Sequence, residues 1–558
     1  MRSWRGVAFA AIVMLATGCA GVPDSGSLHL GRPVPAAGGG LADATVREVP
    51  AGPLADASRV DLVRGFLRAM VDSDDGYGVA RSYLAPGTSW NANAAITVYA
   101  DPARVTVSGS NSVLIRATRV GRIVPRGTYV VDGGSVSRRM RLTRDAGEWR
   151  ISRISAGVLL SSDDAQRLLQ PASVFFLTPD GTRVVPEPVL EPPQGPGLAT
   201  TLMRALVSGP GPVIASGVRT AIPHGTSLLG NVPISADGVA EVDLSASARQ
   251  VTPAQITRLS AQVVWTLRQL TSITGIRLLV NGDPLTAPGL PAVQPARSWP
   301  QFDPAAPPTS TGALLVRAGS IVGVATDVPR ALRVTGLSAP VRSADGSLVA
   351  ALRGDPASRE LVTGTPTGAL AVRLRVAHLT APSFGPEDRV IVASPGAVYL
   401  VPATGTPQRM KLPSSLAGET IRAVAMSRDG TRVALAVGRG AASLVVATLA
   451  GTDGHPALSG ARTVLSSAEQ VSGVAWTAAD QMVTTVRGHD GRRGVVEVGV
   501  DGYQALPLSE LGLPADVDDV AASPGQLLLA SGAGGTWQLV GHRWGRLSTG
   551  VEPSYAGG

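Results

Sequence analysis

The chain has 558 residues, a net charge of +8, a hydrophobic fraction of 44% and one cysteine. That length allows about three or four domains, and a single cysteine excludes an internal disulfide framework. Aromatic residues make up only 4%, so the cores must be built from Val, Leu, Ile and Ala, and no stretch after residue 19 reads as a membrane span.

Residues 1–18 read as an export signal. Arg2 and Arg5 give a positive start, Val7 to Ala16 is an uncharged apolar run, and Thr17, Gly18 and Cys19 close it. In bacteria a cysteine directly after the small residues of a signal is where a diacylglycerol is attached, because its thiolate is the nucleophile that takes the lipid. Cleavage is therefore expected between Gly18 and Cys19, leaving Cys19 with an S-diacylglycerol and an N-acyl chain. Ala16 stands where leucine is usual, with Leu15 one place further out. The alternatives are an ordinary signal with an incidental cysteine, or an uncleaved span, for which the run falls short of about 20 apolar residues. Each buried methylene contributes about 0.8 kcal/mol, so more than one acyl chain holds a protein on a bilayer. The expected location is the outer, extracytoplasmic face of the cell membrane.

Residues 19–53 are rich in Gly, Pro, Ala and Ser, including Gly38-Gly39-Gly40, and read as a flexible tether. Residues 54–171 read as an α+β domain. Val60, Val63, Phe66, Leu67 and Met70 mark one face of a helix, Val79 to Leu84 a second, and six short strand patterns follow up to Ile154. Ala80 to Leu84, with Trp149-Arg150-Ile151, resembles an NTF2-like cone. Asp74-Asp75 reads as a helix-end cap rather than a calcium site.

The basic residues are arginine apart from Lys411, and their densest run is Arg138, Arg139, Arg141 and Arg144. The plain reading of that run is a solvated sheet face; the sharper one is contact with anionic lipid headgroups or wall polymers. Export removes the chain from DNA, so no nucleic-acid partner is expected.

Residues 172–285 form a second α+β domain. Val174 to Leu177 is a strand, Ala199 to Val207 a helix stopped by Gly209-Pro210, and Thr252-Pro253-Ala254-Gln255 a capping box. Ile256, Leu259, Val263, Leu267 and Leu270 then mark one apolar face, before a strand at Ile276 to Val280 and a turn at Asn281-Gly282. The order Leu206-Val207-Ser208-Gly209-Pro210, Ile222-Pro223-His224-Gly225-Thr226, Val242-Asp243-Leu244-Ser245, Gln262 to Leu267 resembles a GerMN domain. Residues 286–310 are proline-rich and read as a linker.

From residue 311 to 550 the chain repeats. Ser343-Ala344-Asp345-Gly346-Ser347-Leu348 matches Ser427-Arg428-Asp429-Gly430-Thr431-Arg432, with weaker copies at Phe384, Trp476 and Ser523. That period is one four-stranded propeller blade, and five or six blades are expected in an all-β domain; the alternative is a β-sandwich. The pairing that closes the ring cannot be read from the repeats.

A lipobox, an N-terminal α+β domain, a GerMN-like domain and a C-terminal propeller, in that order, resemble the actinobacterial lipoprotein LpqB family. The resemblance carries lipidation onto Cys19. It implies an accessory of a two-component system that touches the extracellular part of an MtrB-type sensor histidine kinase.

No H-E-x-x-H, C-x-x-C, G-x-S-x-G or phosphate-loop pattern is present, and the six histidines show no metal-ligand spacing. No catalytic residue, metal or cofactor is expected. A carrier for a cell-wall fragment or other small ligand predicts a deep pocket with convergent polar groups. A peptidoglycan hydrolase predicts perturbed titratable groups in a pocket.

Overall fold

The computed structural model describes residues 50–558 apart from 192–196, 306–307, 309–311, 440–441, 452–453, 467–469, 489–490, 504 and 558. Gly18 and Cys19, and nearly all of the expected tether, lie outside the described residues. Among the described residues no helix is long and apolar enough to cross a membrane.

The first module packs helices α1 (Arg59–Ala69) and α2 (Asp74–Ser82) against one face of a five-stranded sheet. Ser58 caps α1, its Oγ accepting from the Asp61 amide at 3.1 Å. Its strands are β1 (Ile96–Val107), β2 (Ser112–Val124), β3 (Thr128–Asp145), β4 (Glu148–Arg153) and β5 (Val158–Ser161), followed by α3 (Ser162–Leu168). They lie in the order β4-β3-β2-β1-β5, antiparallel except that β5 runs parallel to β1. Alternation does the sorting: Val113, Ile115, Met140 and Leu142 turn inward onto Leu62, Val63 and Phe66.

The second module begins with a hairpin, β6 (Gln170–Leu177) and β7 (Val184–Glu191). After α4 (Leu198–Val207) comes a β-α-β unit in which β8 (Val239–Leu244) and β9 (Gly275–Val280) pair in parallel, joined through α5 (Pro253–Leu267). The capping box is present: the Thr252 Oγ1 accepts from the Gln255 amide and the Gln255 Oε1 accepts from the Thr252 amide.

The apolar face of α5 is buried, and so is the polar one. Thr266 Oγ1 accepts from the Phe175 amide at 3.1 Å, Gln262 Nε2 donates to the Phe175 carbonyl at 3.0 Å, and Gln269 bonds both backbone groups of Ser173. The helix thereby satisfies β6 much as a neighbouring strand would.

Asn281 and Gly282 turn with positive φ into β10 (Asp283–Pro284). The proline-rich stretch then returns: β11 (Gln294–Pro295) pairs with β9, and Trp299 and Phe302 pack beside Trp265, whose Nε1 donates to the Trp299 carbonyl at 3.1 Å. This part of the segment expected as a linker is held against the second module by backbone pairing and aromatic burial.

The third module is a propeller of six blades. Five are four-stranded meanders over 337–375, 383–409, 421–465, 474–507 and 519–548, numbered second to sixth. The first blade combines Ala313–Arg317 and Ser320–Val324 with the C-terminal strand Val551–Ser554. Leu314 pairs with Ser554 and Val316 with Val551, so the chain's end closes the ring. The six innermost strands touch one another in cyclic order.

Each repeat anchor is the turn between the first two strands of a blade. In the second blade, Asp345 Oδ1 accepts from Ser343 Oγ (2.6 Å) and the Ser347 amide (2.9 Å), while the Leu348 amide donates to Ser343 Oγ. The fourth blade repeats these bonds with Ser427, Asp429, Thr431 and Arg432. Gly346 and Gly430 take φ of 77° and 73°, which closes the turn.

Candidate functional site

The most elaborate polar constellation lies where the second module meets the propeller. The turn at Ser427 faces the β6–β7 hairpin. Arg432, nearly fully buried, donates through Nη2 to the Pro186 carbonyl, and its Nη1 lies 3.9 Å from Asp429 Oδ2. Arg183 Nη1 donates to the Arg428 carbonyl at 2.9 Å. Further along, Thr448 Oγ1 donates to the Val213 carbonyl, Ser216 and Ser459 hydroxyls meet at 2.5 Å, and Ser173 Oγ donates to Asp480 Oδ2 at 3.3 Å. Gly460 is required there, since a Cβ would meet the Val213 carbonyl oxygen at 2.2 Å.

Around this joint the titratable groups are strongly desolvated. Burial raises the Glu187 carboxyl, opposed by the Gly211 amide and by Arg432, Arg126 and Arg462. Burial also raises Asp480 and Asp501, and lowers the Arg462 guanidinium. Buried charges hold together only if partnered; Asp480 has the Ser173 hydroxyl, while Asp429 Oδ2 and Arg432 Nη1 face each other at 3.9 Å with no hydrogen bond. Backbone groups partner the others: within the second module Gly211 N–H for Glu187, within the propeller Tyr503 N–H for Asp501 and the Val500 carbonyl for Arg462, and across the joint the Pro186 carbonyl for Arg432.

Perturbed titratable groups are the signature expected of a hydrolase; here they lie in the packed joint, Glu187 accepting from the Gly211 amide and Asp480 from the Ser173 hydroxyl.

Arg428, on the same turn, points to the propeller axis. Its Nη2 donates at 2.7 Å to Ser523 Oγ of the sixth blade and at 2.7 Å to the Ala556 carbonyl beyond the closing strand. Burial, and then the nearby Arg183, pushes its guanidinium down to about 10. Arg428 thus ties the ring across its middle at the end facing the second module.

The first module joins the same body. The Leu190 amide donates to the Gly127 carbonyl at 2.8 Å, and Arg126 reaches the carbonyls of Ser208 and Gly209. Tyr503 of the fifth blade donates to the Ala165 carbonyl at 2.7 Å and stacks edge-on against Tyr129, with centroids 5.1 Å apart.

The arginine run divides by strand alternation. Arg138 turns inward and donates to the Ala156 carbonyl and Thr97 Oγ1; Arg144 lies over the Trp149 ring at 4.8 Å; Arg139 and Arg141 face solvent. Asp74 and Asp75 open α2, His224 sits in a turn closed by the Thr226 amide on the Pro223 carbonyl, and among the described residues no group of three His, Cys, Asp or Glu could hold a metal. An open cleft of about 450 Å³ lies between the third and fourth blades, lined by Gln408, Arg409, Lys411 and His455 with Gly454 and Pro456.

Sequence reasoning did not find the joint. Asp480 and Arg428 lie inside repeat anchors, but nothing local marks their partners in the second module, Ser173 and Arg183, which stand 307 and 245 residues away.

Comparison with known proteins follows the same division. Family models match in chain order: the lipoprotein LpqB N-terminal domain over residues 52–166, the sporulation and spore germination domain over 173–286, and the lipoprotein LpqB beta-propeller domain over 315–556. The fold therefore defines a three-module protein with a propeller at its C-terminal end.

Relatives named lipoprotein LpqB align along nearly the whole chain. That of Rhodococcus opacus is 30% identical, covering 94% of this chain and 91% of its own, and that of Cutibacterium acnes is 29% identical, covering 92% and 91%. The chain belongs to the lipoprotein LpqB family. Among solved structures, the first GerMN domain of the sporulation protein GerM from Bacillus subtilis is 27% identical over 23% of this chain and 92% of its own, with a TM-score of 0.19.

Proposed function

We propose that this chain is an extracytoplasmic lipoprotein, anchored through Cys19 at the outer face of the cell membrane, that acts by protein–protein contact as an accessory of an MtrB-type sensor histidine kinase in cell-envelope homeostasis. The observation that carries the contact-based reading is the joint. Hydrogen bonds cross from the second module to the propeller at Arg432, Arg183, Thr448, Ser216 and Ser173, and the first module joins through Arg126 and Tyr503, which suits one body that presents loops to a partner. Of the titratable groups that burial perturbs there, Asp480 accepts from Ser173 across the joint. The kinase partner and the lipid anchor rest on family membership and on the Ala16-Thr17-Gly18-Cys19 sequence.

Crosslinking in intact cells, followed by identification of the captured membrane proteins, tests the partner. A sensor kinase should be recovered, and the purified ectodomain should bind that kinase's extracellular part; failure of both removes the reading. Cys19→Ala should release the protein to the medium or stall it as an unprocessed precursor. A mature-sized Cys19→Ala chain still on the membrane would exclude lipidation as the tether. The carrier reading draws on the open cleft beside Lys411, and a cell-wall fragment bound there would favour it.

A further inference from the structure

The outer face of the first module's sheet has an unusual charge distribution. Arg104, Arg116, Arg139, Arg141 and Arg153 are all exposed. Register places them on one face. Arg104 pairs directly with Arg116, Arg116 with Ser137, Leu114 with Arg139, Ser112 with Arg141, and Arg141 with Arg153. Two of those pairs set like charges opposite each other, which destabilises a sheet unless something offsets it.

Among the described residues nothing does: none of the five guanidiniums has a hydrogen-bond or ion-pair partner. The other end of the same sheet is handled differently. There Arg119 and Arg122 share Asp132 at 2.9 and 2.7 Å. The unpartnered group is thus a local feature of one end of the face; Arg138, turned inward, and Arg144, held on the Trp149 ring and the Gly147 carbonyl, are excluded from it.

The position of this face matters as much as its charge. The described chain begins at Pro50, and the Asp56 amide donates to Glu148 Oε2 at 3.0 Å. The incoming segment therefore arrives beside β4, the edge strand that carries Arg153. Thirty residues separate Cys19 from Pro50, a span with a ceiling of roughly 100 Å at full extension. A tether of that length raises the effective concentration of any surface to which Cys19 is fixed, so even a weak electrostatic contact is populated.

The geometry points to this arginine face as a docking surface for the anionic phospholipid headgroups of the bilayer that carries the anchor. Guanidiniums suit phosphodiesters because their donors form a planar fork that binds two oxygens at once. Five such groups on a rigid sheet lie down on a charged plane together. Docked in this way, the first module rests on the membrane. The inference rests on the proposed anchor for its biological setting, but the contact can be measured without it.

The test uses residues 20–558, which keeps every described residue and carries no acyl chain. Its co-sedimentation is compared on vesicles of phosphatidylcholine alone and of phosphatidylcholine with phosphatidylglycerol. Binding is expected only with phosphatidylglycerol. It should be lost on moving from about 0.1 M to about 1 M salt, as the Debye length falls from about 10 to about 3 Å. Arg116→Gln, Arg139→Gln and Arg141→Gln together should weaken it about 100-fold, since each arginine near an anionic surface is worth about a factor of 5.

The equal change of charge in the propeller, Arg317→Gln, Arg409→Gln and Arg543→Gln, should leave binding unchanged. Removing like charges should not lower the thermal midpoint of the sheet variant. Equal binding to both vesicles, or an equal loss in the propeller variant, overturns the proposal. So does binding to a soluble phosphate polymer with none to the vesicles. A failure here leaves lipidation of Cys19 untouched, and a bare Cys19 in cells would leave the vesicle result standing.

Discussion

The turns at Ser343 and Ser427 have the same residues at the positions that matter and the same internal hydrogen bonds, yet they live in different surroundings. The first is open: Asp345 and Ala344 face solvent, and hydroxyl and amide donors from Ser343 and Ser347 hold the Asp345 carboxyl below its ordinary range. The second is covered: Ser427, Arg428, Asp429, Thr431 and Arg432 are all buried. The repeat sets the turn, and a different module sets what the turn does. Where a blade carries Leu348 in the second, it carries Arg432 in the fourth, and that one change of side chain ties the propeller to the Pro186 carbonyl. A repeat array can thus keep one turn chemistry throughout and still make one blade specific.

The two turns differ most at Arg432. Replacing it by Ala leaves Asp429 buried without its countercharge and the Pro186 carbonyl without a donor. Chemical denaturation should show a loss of about 3–5 kcal/mol. Leu348→Ala at the equivalent place should cost about 1–2 kcal/mol, in proportion to a half-buried side chain. Equal losses would mean that the joint adds nothing to the turn.

The next effect is steric. Ala at position 346 or 430 must adopt a left-handed backbone, at about 1–2 kcal/mol. At 430 its Cβ would also lie 2.9 Å from the ring of Pro386 in the third blade. Gly430→Ala should therefore cost about 1–3 kcal/mol beyond that backbone strain, read as a fall in its thermal midpoint.

A pH-dependent effect distinguishes this covered turn from a buried carboxyl elsewhere in the ring. Asp519 begins the innermost strand of the sixth blade, and burial, then Asp518 and Glu552, pushes its carboxyl up to about 7. Between about pH 4 and 7 the folded state holds this proton more tightly than the unfolded chain does. Stability must fall as pH rises through that window. Asp519→Asn should flatten the fall and raise the midpoint above pH 7, with little change near pH 4. An unaltered profile would show that Asp519 is not the group responsible.

Much of this architecture was legible because its causes are local. Thr252 and Gln255 cap α5 through atoms three residues apart, Asn281-Gly282 turns because both residues accept positive φ, and Ser-x-Asp-Gly closes a blade turn with its own side chains. What escaped has causes that are distant in sequence. The polar face of α5 reads as solvent-facing until β6 is seen to need Gln262, Thr266 and Gln269. The proline-rich segment reads as a spacer because neither the pairing of Gln294 with Ile276 nor the seat of Trp299 leaves a periodic trace. The arginines from 138 to 144 read as one run, whereas the alternation of a strand sends Arg138 inward and Arg139 and Arg141 out. The ring's closure rests on Leu314 and Ser554, partners from opposite ends of the propeller.

The second module covers one propeller turn and not its twin. Hydrogen exchange in the intact chain compares them directly, since the amides of Gly430, Thr431 and Arg432 are bonded within their turn as those of Gly346, Ser347 and Leu348 are. A closed joint predicts slower exchange throughout the first set. Equal rates in the two sets would mean that the joint opens freely in solution and would contradict the account.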